Sequence, residues 1–591
     1  MPPRFRVVPR SSVRFRGARV AGDRCGAYHA AARILVRERC VIVSSVINRS
    51  HSPVYTTRGL VGSASTPAGA VGAQVMREGG NAFDAAVAVA AAEAVTLPMM
   101  CGIGGEVFAL LYHAASGTLY GVSSSGRAPM RARREYFTDL GYVKMPPDGP
   151  LTPAVPGEVL AWQTIVDRFG TRSLGSLIDP AIGLASEGFS LPPRSASYFS
   201  DHYDKIAKYE STAKTYIKPD GSPYLVGDVF AQPNLARSLR RIAQHGPDEF
   251  YRGGIAREIA QAMEAGGGLI DEADLAAQET TVYENPPSVR YHGHTAYATG
   301  LPSQGMLTLE LLSLLDGFDL AAMGHNTIES IHTMVEAKRL AFADRLAYVG
   351  DPAFIDVPLD ELLSPEYAAE RIKRIDPERA AEGIVPAGEL AHSVAPTPST
   401  SYFNVIDKEG NAVSFIHSLS AYWGSGFVCG DTGILLNDRA GRGFYLDEGH
   451  VNVIAPGKKT INTIHAYMVF KDDKPVLVGG TPGGDNQPQW NAQAVSNVID
   501  HGMNVQEAAD APRWTHFPGT DPRSIDEEMV LRLEDGFPDD TLQALEAKGH
   551  KIRTYPSVGT PGAVQLIGID HERGVHTGGT DRRSDGYPIP E

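Results

Sequence analysis

Thr400, His417 and Ser418 are the residues whose types and spacing first suggest chemistry. A segment rich in Pro, Ser and Thr ends at Thr400, and from there to Ile406 the chain reads as a strand. Asp407-Lys408-Glu409-Gly410 is a turn signal, because Asp and Gly tolerate the backbone angles of a tight reversal. A second strand is predicted over Ala412 to Ser418. A hairpin with a turn of about four residues sets Thr400 opposite His417 or Ser418, according to a one-residue choice of register. A cut before Thr400 would place a new α-amine beside the threonine's own hydroxyl. Such an amine has a reference pKa of about 7.7–8.0, so near neutral pH a useful fraction can take the hydroxyl proton. Thr400 would then be nucleophile and base together. The competing reading is a plain Thr-rich strand entry, and the hairpin alone does not decide between them.

The elements that position these residues belong to a chain of 591 residues, 42% hydrophobic and 21% charged. These are ordinary values for a soluble enzyme with ample material for a large core. A net charge of −15 argues against a nucleic-acid binder. Cys25, Cys40, Cys101 and Cys429 are widely spaced, giving neither a disulfide framework nor a zinc pair. The longest apolar stretch, Ala82 to Met100, holds Asp84 and Glu93 and is broken by Pro98, so it is not read as a membrane span. Residues 1–53 are Arg-rich and acid-poor. A secretory signal needs a continuous apolar core, and Ala30 to Ile47 is interrupted by Arg33, Arg37, Glu38 and Arg39. The segment has the composition of a transit peptide, but the reading adopted is a disordered extension ahead of the domain. The expected location is cytoplasmic.

Further along, Gly79-Gly80-Asn81 opens an alanine-rich helix, with Asn81 as N-cap and Asp84 complementing the helix dipole. Gly102-Ile103-Gly104-Gly105-Glu106 lacks the ending of a phosphate loop and the spacing of a dinucleotide fingerprint. A tight turn into a strand over Val107 to Tyr112 is expected instead. His332 and Glu336 fall four apart on a helix with no third ligand evident, so a structural pair and no metal are expected. Glu382 to Ser399 reads as an exposed connector. Gly483 and Gly484 follow a strand. They could bare backbone N–H groups for an oxyanion hole, although isolated glycines more commonly make a turn.

The run from Thr400 to Ser414 resembles the start of the small subunit of the γ-glutamyltransferases (γ-glutamyl transpeptidases). These are N-terminal-nucleophile hydrolases made as self-cleaving proenzymes. Gly79 to Ala86, Gly102 to Glu106, Ala154 to Glu158, Leu301 to Met306, Gly433 to Asn437 and Gly480 to Asp485 are similar to further segments of that family. The resemblance implies an α+β fold, a four-layer αββα sandwich built jointly by a large subunit, 54–399, and a small subunit, 400–591. It implies cleavage between Ser399 and Thr400, Thr400 as nucleophile, Ser418 orienting it, and Gly483 with Gly484 as the oxyanion pair. It implies no metal or cofactor, and a small-molecule amide substrate bearing a carboxylate. The two fragments are expected to stay associated, with a homodimer compatible and no nucleic-acid or membrane partner.

The chain departs from the transferases around the substrate. Their arginine for the substrate carboxylate, measured back from Ala128-Pro129, falls on Ser125, and Arg127 lies two residues later. Arg127, Arg439, Asn462 and Thr463 are the candidates for holding that carboxylate, the last two standing where the family shows a serine pair. The acid that holds the donor's α-ammonium is replaced by Gly441 or Arg442. Arginine there reverses the local field. The stretch from Tyr445 to Gly457 is short for a lid, which leaves water freer to attack an acyl-enzyme. The expected activity is hydrolysis or acyl transfer on a γ-glutamyl or similar carboxylate-bearing amide. The alternatives are an acylase or amidohydrolase of the glutaryl or oxamate type, and an uncleaved scaffold.

Overall fold

Period-2 alternation of apolar side chains, carried through strands from both halves of the sequence, sets the architecture. The computed structural model describes residues 51–388, 400–519, 524, 527–557 and 562–591. Ser399, most of the connector and nearly all of the Arg-rich extension lie outside these residues. The described residues belong to one unit.

Among the described residues, fourteen strands build two central sheets. In chain order they are β1 (Val54–Thr56), β2 (Leu60–Ser63), β3 (Glu106–His113), β4 (Thr118–Ser124), β5 (Thr281–Glu284), β6 (Ser288–Tyr291) and β7 (His294–Ala298). Beyond the connector come β8 (Ser401–Ile406), β9 (Ala412–Ser418), β10 (Tyr467–Lys471), β11 (Lys474–Gly480), β12 (Gln565–Asp570), β13 (Val575–Thr580) and β14 (Ile589–Pro590). The first sheet runs β14-β2-β8-β9-β3-β4-β5 and the second β1-β13-β12-β11-β10-β7-β6. Both sheets contain strands from before and from after residue 400.

Phe108, Leu110, Tyr402 and Ile416 point from the first sheet at Met468, Phe470, Val478 and Ile567 of the second, forming the core between the sheets. Each such side chain contributes about 1.5–3 kcal/mol on burial. The alternate residues Val107, Ala109, Leu111, Phe403, Val405, Val413 and Phe415 point the other way, onto helices. Those helices include α1 (Thr66–Arg77), α2 (Ala82–Thr96) and α3 (Glu158–Phe169). On the far side of the second sheet lie α4 (Gly305–Leu315), α5 (Ile328–Tyr348) and, past the short α6 (Arg439–Gly443), α7 (Asn486–Ile499). The layers are therefore helix, sheet, sheet, helix.

Local signals account for the pieces nearest the hairpin. Asn81 caps α2, as the sequence predicts, and Asp84 completes a capping box with it. Every residue of α2 is buried, which its alanines permit beside a sheet, and among the described residues no helix is long and apolar enough to cross a membrane. Gly410 takes φ +87° in the β8–β9 turn, where a side chain would be strained. Asp407 anchors that turn. Its carboxylate accepts from Glu409 N–H, Asn411 N–H and, at 2.9 Å, the Ala82 N–H of α2.

Candidate active site

The ladder pairs Ser401 with His417, so Thr400 extends it opposite Ser418 and the register choice is resolved. Alternation turns Thr400 and Ser418 toward the second sheet. Thr400 Oγ1 donates to Ser418 Oγ at 3.2 Å, and both residues are buried. Ser418 Oγ also accepts from Ser420 N–H at 2.8 Å. Ser420 holds φ +76°, a strained value for a residue with a side chain and of the kind that clusters at active sites.

Gly483 and Gly484 follow β11 and lead into α7. Their φ angles, +136° and +62°, lie in the range that favours glycine. A Cβ on Gly483 would come within 2.4 Å of the Trp490 ring. Among the described residues neither glycine N–H finds an acceptor. Gln487, in the first turn of α7, brings its Nε2 to 3.4 Å from Thr400 Oγ1, which places the glycine turn beside the hydroxyl. The turn is held from behind. Gln304 Nε2 donates to Gly484 O at 2.8 Å and to Thr463 O. Arg345 Nη1 donates to Gln304 Oε1 at 2.6 Å and to Asp485 Oδ1 at 2.7 Å.

Three of the four residues expected to hold a carboxylate converge. Arg439 is fully buried, donates through Nε to Glu106 Oε1, and reaches Thr463 Oγ1 at 3.2 Å. Asn462 Nδ2 donates to Glu106 Oε2 at 2.7 Å and lies 3.5 Å from Ser125 Oγ. Arg127 does not join them. It donates to Glu279 Oε2 at 2.6 Å and to Ala277 O, with its side chain 37% exposed. Ser125, one residue past the end of β4, is the buried side chain that reaches Asn462, whereas the Arg127 side chain turns out of the same buried loop toward Glu279.

Of the two candidates for the missing acid, Gly441 packs on Thr152, whereas Arg442 Nη1 points to Ser420 O at 3.4 Å. A positive charge therefore sits beside the turn that holds Ser418. Arg439 Nη2, Ser420 Oγ and Gln487 Oε1 are buried atoms without a hydrogen-bond partner among the described residues. Buried polar atoms are nearly always paired, so these three leave hydrogen-bonding capacity open in the region of Thr400, Ser418 and Thr463.

The expectation of no third ligand beside His332 and Glu336 is corrected. His550 joins them, its Nε2 2.8 Å from His332 Nδ1, from a strand approach far along the chain that spacing on the helix does not reveal. The three are nonetheless engaged with one another and their surroundings. His332 Nε2 meets Asp376 O at 2.7 Å, and the Glu336 oxygens accept from Arg339 and from Ala381 N–H.

Glu106, Gln304, Arg345, Asp485 and Gln487 were given no role by sequence reasoning. The segments around Gln304, Arg345 and Asp485 carry the family resemblance, but their roles depend on contacts across 40 or more residues. Gln487 had a readable signal, since it falls in the first helical turn after the glycine pair.

A family model described as gamma-glutamyltranspeptidase matches residues 68–590. The glutathione hydrolase proenzyme of Escherichia coli (strain K12) is 36% identical over 539 residues, covering 88% of this chain and 90% of its own length. The acylase ACY 1 proenzyme of Pseudomonas sp. (strain SE83) is 33% identical over 550 residues, 91% of this chain and 94% of its own. The crystal structure of cephalosporin acylase from Bacillus halodurans superposes with a TM-score of 0.85 at 35% identity, over 92% of this chain and 97% of that one.

Proposed function

The chain belongs to the gamma-glutamyltranspeptidase family, and we propose that it is the self-cleaving proenzyme of an amide hydrolase or acyltransferase acting on carboxylate-bearing acyl groups through Thr400. The observation that carries this is the juxtaposition of the Thr400–Ser418 hydroxyl pair with two unoccupied glycine N–H groups. In maturation, Thr400 Oγ attacks the carbonyl carbon of Ser399 and the peptide C–N bond breaks. The acyl group moves to oxygen and the amine is freed, and water then cleaves the ester, leaving a Ser399 carboxylate. In turnover the Thr400 amine takes the hydroxyl proton while Oγ attacks the substrate amide carbon. Gly483 and Gly484 N–H groups donate to the oxyanion, a contribution of about 3 kcal/mol per donor. Collapse expels the amine, which receives the proton. Water, or an acceptor amine, then resolves the acyl ester.

Arg439, Asn462 and Thr463 are assigned to the substrate carboxylate. The relatives' names include both a glutathione hydrolase and an acylase. Arg442 beside Ser420 favours the acylase reading, because a guanidinium in place of an acid repels an α-ammonium and suits a carboxylate or neutral group. The fragments remain joined because their strands interleave in both sheets.

Intact-mass spectrometry should show two fragments meeting at Ser399/Thr400. A panel of γ-glutamyl, glutaryl and oxamate substrates then distinguishes the acyl groups. Turnover of the γ-glutamyl compound alone would sink the acylase reading, and a single uncut chain would sink the enzyme reading altogether.

A further inference from the structure

The reverse face of the nucleophile hairpin carries a second buried cluster. We propose that His417, held as an imidazolium between Glu93 and Glu158, is a positioning residue that fixes the start of β8, and with it Thr400, against Ser418. The proposal rests on the reading of Thr400 as nucleophile.

Alternation along β8 and β9 turns Ser401 and His417 toward the helix layer, away from Thr400 Oγ1 and any substrate it carries. His417 Nε2 lies 3.0 Å from Glu93 Oε2, and Nδ1 lies 2.8 Å from Glu158 Oε1. A carboxylate oxygen lies against each ring nitrogen, and a ring that donates from both is the doubly protonated one. Burial raises the Glu158 carboxyl above its usual value, opposed by His417 and by the bond from Trp162. Ser401 Oγ donates to the same Glu93 Oε2 at 2.7 Å, and Ser63 Oγ donates to Glu93 Oε1 at 2.6 Å. Trp162 Nε1 donates to Glu158 Oε1 at 3.0 Å. Glu93, Glu158, Ser401 and His417 are all 0% exposed. The other titratable group at the ring is Cys101, whose thiol is pushed up to about 11, burial outweighing the lowering by His417. Burial opposes the charge on His417, but Cys101 and Glu158 beside the ring outweigh burial and hold its pKa well above the usual histidine value.

Burying three charges carries a large desolvation cost, and here it is met one residue behind Thr400 on one strand and one residue before Ser418 on the other. Glu93 accepts from both strands at a single oxygen, so it ties their ends together on the face opposite the hydroxyl pair. Ser63, Glu93 and Glu158 precede the expected cut, while Ser401 and His417 follow it. The cluster therefore joins the two fragments at the nucleophile.

Ser401→Ala removes one link without altering charge, and Ser401→Thr restores the hydroxyl. The double variant His417→Gln/Glu158→Gln keeps the cluster's net charge while removing the imidazolium. Intact mass of the unaltered protein comes first. An uncut chain there overturns the nucleophile reading and the positioning role with it. With cleavage present, Ser401→Ala and the double variant should each lower kcat about tenfold with KM within about twofold, as loss of orientation predicts. Ser401→Thr should recover most of the loss. A kcat and self-cleavage rate within about twofold of wild type in both would overturn the positioning role alone, as would a rise in KM with kcat unchanged.

Discussion

Two buried charge clusters flank Thr400, and they differ in which atom they leave open. Around His417, both ring nitrogens meet carboxylates, and Ser401, Ser63 and Trp162 donate to those same carboxylates, while Glu158 Oε2 has no partner among the described residues. Around Arg439, Glu106 and Thr463 take two of the guanidinium nitrogens, and Nη2 has no partner among the described residues. The first cluster lies behind the hairpin on the helix side. The second lies near Asn462 and Ser125. The first leaves only an acceptor open, on the face turned away from Thr400 Oγ1, whereas the second leaves a donor for a ligand. The comparison predicts that damage to the first changes the rate and damage to the second changes recognition.

The sharpest break comes at the residue both clusters serve. Thr400→Ala should leave one uncut chain by intact mass and reduce amide turnover by about 10⁴-fold or more. Opening the second cluster further is the next largest effect. Arg439→Met/Glu106→Gln should lower kcat/KM about 100-fold on a carboxylate-bearing amide and far less on one without the carboxylate. Equal losses on the two substrates would erase the distinction between the clusters. Arg439→Met alone strands a buried carboxylate, and urea unfolding should report a loss of about 3–5 kcal/mol. Ser418→Ala removes the acceptor of Thr400 Oγ1 and of Ser420 N–H, and should lower kcat about tenfold with KM unchanged.

The smallest effect is a pH slope. The folded pKa of His417 is raised, so the folded state keeps a proton that the unfolded state loses above about pH 6.5. The stability this confers is fully present below that pH and is lost as pH rises through the folded value. Melting temperature should therefore fall across the alkaline range in wild type, and His417→Gln/Glu158→Gln should lack that part of the decline.

Much of the site was legible because it depends on neighbours in sequence. Asn81 announces the cap of α2, and Asp407 with Gly410 announces the turn that delivers Ser418 to Thr400. The carboxylate cluster was legible only in part. Asn462, Thr463 and Arg439 could be chosen by their place in family segments, but Arg127 was preferred to Ser125 for its charge. The fold instead sends that arginine to Glu279 and fills the buried position with a hydroxyl. Glu106, Arg345 and Glu158 were not given site roles, since nothing local tells a buried carboxylate or guanidinium from a solvated one. Their partners stand roughly 140 to 330 residues away. His550 escaped for the same reason.

The short strand β14 lies at the edge of the first sheet. It pairs with β2 through Ile589 and Val61, the backbone N–H of Glu591 donates to Gly59 O at 2.8 Å, and the Glu591 carboxylate pairs with Arg58. Glu591 thus lies beside the turn that joins β1, on the second sheet, to β2, on the first. A circularly permuted gene that joins Glu591 to Val54 through a flexible linker and opens at Thr400 would be translated with the nucleophile first. Once its initiating Met is trimmed, that protein would hold a free threonine amine without having cut itself, separating the chemistry of maturation from the chemistry of turnover.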